Sequence, residues 1–516
     1  MRVRHPAGPN LGHRHMLSDL ATTELRRYSG KGLKFRCRLH KNPPEGQVNQ
    51  SQASPKDAER GHTPIQRSFM NYFSTSLTPG PHDTRLRFAR AAEVVNRNRS
   101  CFRVCPYAVH MVIPPILDVF VVWHPDDDSG SEICSWLSQH FHSPAFAGLA
   151  GGAVEVYARS TGWESPGSPP RPLGITPPLA DVLPAAQFNA IVLVSGINLV
   201  RAVERDPQWE NYITDITKLN GIDGTGVYPV LVPGTTTSGK FAGLVGSLQT
   251  LPEESTSDST VLCRELCQAI TQRVDAVEGA SNRVRVFVSH TKRFSLEEPD
   301  HENGPYLFDK VREEISKTKL SAFFDAQDLQ SGAEWEAELD RNAANSALLM
   351  VRTDKYSGRE WTQREVLVAK KASMPIVGIY AFTTGEERGS FLMDHIPSVP
   401  CNVQDPLPGI RMALNRLVDE ALKRTLWNAQ TVYLKKDGFD WLPTHAPEPV
   451  TLTPWLIEHK RGVPNDDHVW ILHPDPPLGP QEREVVVDLC GLAGFTDKVD
   501  ILTPRTFAAR GGRLPQ

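Results

Sequence analysis

Residues 285–290 read RVFVSH, residues 320–325 LSAFFD, residues 347–352 ALLMVR and residues 375–380 PIVGIY. Each is a short apolar run with little alternation, the pattern of a strand buried on both faces of a parallel sheet. Between them lie stretches with apolar residues at helical spacing: YLFDKVREEISKT (306–318), WEAELDRNAANS (335–346) and REWTQREVLVAKKA (359–372). Strands alternating with helices predict an α/β domain built on a parallel sheet. IRMALNRLVDEALKRTLW (410–427), with Ile410, Leu414, Leu417, Leu422 and Leu426 near one face, reads as a long amphipathic helix that closes it.

The same alternation appears upstream in a looser form. DVFVVW (118–123), VEVYA (154–158), AIVLVSG (190–196) and YPVLV (228–232) read as strands. SEICSWLSQHF (131–141) and the segment from Trp209 to Leu219 read as helices. GWESPGSPPRPLG (162–174) reads as an exposed insertion. Residues 233–257 read as a Gly/Ser/Thr-rich loop before an amphipathic helix over 259–278. Near the C-terminus, HVWILHPDPP (468–477) echoes DVFVVWHPDDD (118–128), and QEREVVVDLCGLA and DKVDILT supply about half of a further α/β unit. That half-unit either packs on a neighbouring domain or belongs to a truncated one.

These patterns divide the chain as 1–110, an extension; 111–235, an α/β module; 236–282, a linker and helix; 283–430, the central domain; 431–465, a linker; and 466–516, the partial unit. The extension is rich in Arg, His, Ser, Asn and Pro, and NPPEGQVNQSQASPKDAERGH cannot bury enough apolar surface to offset its ordering entropy. It reads as disordered or as an over-extended translation, with Met111 a natural start.

A net charge of −4 gives no general reason to expect nucleic acid as a partner. No uncharged apolar run reaches the roughly 18 residues a membrane span needs. The N-terminus lacks the apolar stretch of a secretory signal, and the eight cysteines are scattered, as in a reducing cytoplasm. Cys101/Cys105 and Cys263/Cys267 are each four apart without a matching His cluster, so no metal site is expected from them. WHPDDD (123–128) resembles the zinc motif of the PIG-L/LmbE deacetylases, in which His124 and Asp127 would be ligands and Asp126 a base. A further ligand is missing, and the C-terminal echo keeps HPD but loses the following acids. Both favour a structural turn.

The ordered set RVFVSHTKR, LSAFFDAQDLQSGAEW and SALLMVRTDKYSGREWTQREV resembles the TIR (Toll/interleukin-1 receptor) pattern over about 120 of the 516 residues. The resemblance implies a flavodoxin-like parallel sheet, with a BB-type loop over AQDLQSG and Gly332 at its turn into a helix. It also places Ser289 and Asp325 at strand ends, facing the helix that carries Trp361 and Glu365. By similarity to bacterial TIR NADases, Glu365 is the catalytic carboxylate and NAD+ is the substrate, with no separate cofactor. Trp361, one turn before it, is a core residue, a pocket wall or both. Of the residues after the first strand, His290 and Lys292 fall near the substrate, and Lys292 or Arg293 either meets the diphosphate or is a solvated loop cation. Leu329 and Gln330 line the site or a neighbouring subunit. Trp335 stands one residue from where relatives carry an aromatic. The upstream module would be a degenerate copy, since Ile213 stands four residues after Trp209. The family further implies self-association, an activating partner still to be named, and a role in immune or anti-phage signalling. The alternative is a TIR scaffold that signals by homotypic contact without catalysis.

Overall fold

The computed structural model describes residues 116–146, 154–175, 186–222, 224–277, 284–291, 306–323, 335–386, 388–436, 448–462, 469–473, 477–495, 499–503 and 506–507. All of them fall in one unit, Pro81–Gln516. The expectation for residues 1–110 lies outside the described residues.

The chain order begins β1 (Leu117–Val122), α1 (Asp128–Phe141), β2 (Val154–Arg159), β3 (Phe188–Ser195), α2 (Ile197–Arg205), α3 (Pro207–Lys218), β4 (Thr225–Leu231), α4 (Gly239–Val245) and α5 (Ser259–Val277). Then come β5 (Arg285–Ser289), α6 (Tyr306–Ser316), β6 (Ser321–Phe323), α7 (Trp335–Asn345), β7 (Ala347–Arg352), α8 (Glu360–Lys371), β8 (Ile376–Tyr380), β9 (Ser398–Pro400) and α9 (Leu407–Lys436). The chain closes with α10 (Pro449–Gly462), β10 (Val469–Leu472), α11 (Pro480–Leu492) and β11 (Val499–Leu502).

The fold is α/β. Among the described residues, the central sheet has five parallel strands in the order β6-β5-β7-β8-β9, the 2-1-3-4-5 order of flavodoxin-like folds. The upstream sheet repeats its first four places as β2-β1-β3-β4, again all parallel. Every residue of β1 and β3 is buried, because helices cover both faces. β10 and β11 form a two-stranded parallel sheet.

Helix α5 joins the two larger sheets. Its Leu262, Leu266, Ile270 and Val274 share one continuous core with Ile133 and Leu137 of α1 and with Leu414 and Leu417 of α9. The two sheets thus lean on a common helical layer rather than on a linker.

Several expectations are corrected. The supposed loop over 233–257 contains α4 and a short 3-10 turn, Glu253–Thr256, because Phe241 and Val245, one turn apart, both enter the upstream core. The supposed linker over 431–465 begins inside α9, which runs to Lys436, and later forms α10. There Leu452 and Leu456 pack on Val469, Ile471, Val486 and Phe495, so α10 belongs to the C-terminal half-unit. Pro454 inside α10 obscured its helical period. The 162–174 segment exposes Trp163, yet it is anchored: Leu173 is buried, and the Trp209 indole donates to the Gly167 carbonyl at 2.9 Å. Strand β9, only three residues long, was not foreseen.

Candidate active site

In open parallel sheets ligands bind beyond the carboxyl ends of the strands. Ser289 is the last residue of β5, a strand with neighbours on both sides, and it is buried. Its Oγ donates to Glu365 Oε2 at 2.5 Å and lies 2.5 Å from the Tyr356 hydroxyl. A serine has one proton to give. With that proton directed at Glu365, Tyr356 must donate to Ser289, which sets a one-way chain of hydrogen bonds from phenol to serine to carboxylate. Tyr356 can hold this role because its pKa is pushed well above the usual value, first by complete burial and then by the charge of Glu365.

Glu365 sits in the second turn of α8 and is 7% exposed. Trp361, one turn earlier, is 38% exposed, with the Arg364 guanidinium 5.3 Å from its ring. The reading of Trp361 as a core residue is therefore corrected: the helix turns its Glu365 edge inward and leaves the indole at the rim. The hydrogen bond from Ser289 makes Glu365 a buried polar staple between α8 and β5.

Around this carboxylate the strand ends are tied together. Thr291 and Thr353 hydroxyls meet at 3.2 Å across the loops after β5 and β7. Asp354 accepts from the amides of Thr383, Thr384 and Gly385 and from both threonine hydroxyls, joining the loops after β7 and β8. Burial raises its carboxyl, but these donors outweigh that effect and hold it at about 2. Arg352 makes a bidentate ion pair with Glu386 and donates to the Tyr380 hydroxyl at 2.7 Å. The result is a pre-organised polar rim.

Ser289 and Glu365 are thus brought together at one sheet edge, while Trp361, one turn before Glu365 on α8, has its ring against Arg364. His290 follows Ser289 and stacks its ring on Phe308 of α6, with centroids 3.8 Å apart. Lys292, Asp325, Leu329 and Gln330 lie outside the described residues. Trp335 opens α7, and its side chain is likewise outside them. Tyr356, Thr353 and Asp354 were missed. Their signal was TDKYSG (353–358), a polar run directly after a central buried strand, where site residues of this architecture collect.

The described cleft of about 940 Å³ is elsewhere. Val284, Ser321, Ala347 and Pro375 line it, at the amino ends of the same strands. Size alone does not outweigh the placement rule for parallel sheets, so the carboxyl edge remains the candidate site.

The HPD turn of the upstream module has a structural role. Asp127 accepts from the amides of Asn198 and Leu199 at 3.0 Å and so caps the start of α2 from another loop. His124 accepts from the Asp126 amide and stacks against Trp209. Both Trp209 and Ile213 are buried in that module's core. Among the described residues no helix is long and apolar enough to cross a membrane.

No protein-family model and no curated protein matches the chain. Among solved structures it is similar to the TIR domains of the activated Roq1 resistosome, a complex that directly recognises the pathogen effector XopQ. The identity is 14%, over 30% of this chain and 99% of that one, with a TM-score of 0.17. At that TM-score the superposition carries no weight beside the strand order, and what the chain itself displays is a flavodoxin-like α/β fold.

Proposed function

We propose that the chain is a TIR-type NAD+ glycohydrolase with Glu365 as its catalytic carboxylate. The observation that carries this reading is the Ser289–Glu365 contact, a buried carboxylate oriented at the carboxyl edge of a 2-1-3-4-5 sheet. The C1′–N bond of the nicotinamide riboside breaks through an oxocarbenium-like state. The electron pair of that bond leaves with nicotinamide, which departs neutral, and the positive charge moves to the ribose. An anion beside the anomeric carbon stabilises that charge, and Glu365 can also accept hydrogen bonds from the ribose hydroxyls. Water or an internal nucleophile then completes ADP-ribose or its cyclic form. No strong general acid is required, so a single placed carboxylate suffices. Trp361 would supply a surface for the nicotinamide or ribose, and His290 and Lys292, next in sequence after β5, would meet the diphosphate.

On this reading the protein acts in the cytoplasm as a self-associating immune or anti-phage effector. A second subunit's BB-type loop, with Leu329 and Gln330, completes the site, and the upstream sheet is a degenerate TIR-like module for sensing or assembly. The test is NAD+ consumption by the full chain at high protein concentration, beside Glu365→Ala. Wild type should consume NAD+ and the variant should fall about 10²–10³-fold, with an unchanged circular dichroism spectrum. Assembled wild-type protein that leaves NAD+ intact would favour the non-catalytic scaffold.

A further inference from the structure

Helices α1, α5 and α9, which join the upstream sheet to the central one, bring three metal-ligating side chains together, with a fourth, Cys263, one helical turn away. His140 Nε2 lies 3.1 Å from Asp419 Oδ1 and 3.5 Å from Cys267 Sγ. These three ligand atoms are all within 4.8 Å of one another. Cys263 lies one turn before Cys267 on the same face of α5. Cys263, Cys267 and Asp419 are buried, and both cysteines are free thiols.

Two features bear on what this cluster can hold. First, the oxygen and the sulfur converge on the same ring nitrogen, which carries at most one proton along one direction. Second, the spacings also fit a coordination polyhedron. A tetrahedral zinc with nitrogen about 2.0 Å and sulfur about 2.3 Å away sets those atoms about 3.5 Å apart, and nitrogen and carboxylate oxygen about 3.3 Å apart. The separations, 3.5 and 3.1 Å, lie in hydrogen-bond range and are also compatible with those edges.

We propose that Cys263, Cys267, His140 and Asp419 bind a structural divalent transition metal, zinc by ligand type, that staples the upstream module to the central domain. Two thiolates and an imidazole select zinc over the oxygen-seeking magnesium and calcium. With Cys263 turned in as the fourth ligand beside His140, Cys267 and Asp419, no position is left open, which makes the site structural rather than catalytic. Ligands from three separate helices make the metal a cross-link: α1, with His140, comes from the upstream module, α9, with Asp419, closes the central domain, and α5, with the cysteines, lies between. The site is independent of the NAD+ reading and is tested without it.

The full chain, purified under reducing conditions, is analysed for metal content and titrated with Co2+ after chelation. Expected are about one zinc per chain as isolated and, with Co2+, a thiolate-to-cobalt charge-transfer band together with intense tetrahedral visible bands. The charge-transfer band should be lost in the Cys263→Ser, Cys267→Ser double variant and weakened in His140→Asn. Wild-type protein that binds no stoichiometric zinc and shows no charge-transfer band has a metal-free His–Asp–Cys network, and the proposal falls. It also falls if the band survives in the double cysteine variant. The wild-type arms decide even if a variant fails to fold.

Discussion

Ser289 and Glu365 stand 76 positions apart in the chain, yet the serine hydroxyl donates to the carboxylate at 2.5 Å inside the protein. The contact pins the second turn of α8 to the end of β5, and Tyr356 completes it from the loop between β7 and α8. Three segments must be correctly placed for it to form, so the orientation of Glu365 reports on the whole carboxyl edge of the sheet. A carboxylate held this way needs little reorganisation when charge develops nearby.

Removing the chain of donors link by link should weaken catalysis in order. Ser289→Ala removes one donor from Glu365 and the hydroxyl that Tyr356 bonds, at a cost of about 1–3 kcal/mol in stability. Tyr356→Phe keeps the ring and removes only the outer hydroxyl, so its effect should be smaller. If Ser289 positions the carboxylate, kcat for NAD+ should fall in Ser289→Ala while KM changes little. Adding Ser289→Ala to Glu365→Ala should then cost no further activity. A Ser289→Ala enzyme with full kcat and only a lower Tm would reduce the contact to a staple.

Trp361 makes the opposite prediction. Because it is 38% exposed and its contact with Arg364 is at the surface, Trp361→Ala should cost less than the roughly 3–5 kcal/mol of a fully buried tryptophan. Its loss should appear in KM for NAD+, and Trp361→Phe should recover most of it. Thermal unfolding beside steady-state kinetics separates the two effects. A drop in Tm typical of a core tryptophan would show that the indole is packed inside.

The strands were legible because parallel strands covered on both faces read as unbroken apolar runs, as LDVFVV and ALLMVR do. Ser289 and Glu365 were legible because each belongs to a short ordered motif. Tyr356 was not, since a loop tyrosine acquires meaning only when folding sets it on the serine. The same holds for His140, Cys267 and Asp419, whose convergence depends on three helices far apart in the sequence. β9 is too short to carry a period, and α10 hides its period behind Pro454.

Asp127 tests the meaning of the HPD turn. Its two oxygens accept from the first free amides of α2, and Gly196 lies so close that an added Cβ would stand 2.4 Å from the carboxyl carbon. Asp127→Ala should therefore destabilise the upstream module by about 1–2 kcal/mol, as a lost helix cap does, and Asp127→Asn should be milder. Gly196→Ala should also destabilise it, because the added methyl displaces the cap. A protein whose Tm responds to added zinc in wild type but not in Asp127→Ala would instead make Asp127 a metal ligand.

Asp354 gives the rim a pH signature. Its carboxyl is lowered from the ordinary 3.8 to about 2, because the Thr383 and Thr384 donors outweigh the raising effect of burial. A folded pKa below the unfolded one means that the unfolded chain takes up the proton first as pH falls. The stabilisation from Asp354 is therefore complete above about pH 5 and is lost between about pH 4 and pH 2. Asp354→Asn replaces an acceptor of five hydrogen bonds with an amide that turns two of its own donors toward those groups. It should be less stable at neutral pH by about 1–3 kcal/mol. The gap in Tm between wild type and Asp354→Asn should stay constant from pH 7 to about pH 5 and narrow below that. A gap that persists unchanged to pH 2 would place the cost in lost shape rather than in lost charge. Because the same donors join the loops after β7 and β8, the variant should also loosen the turn that presents Tyr356 to Ser289, so kcat should fall alongside stability.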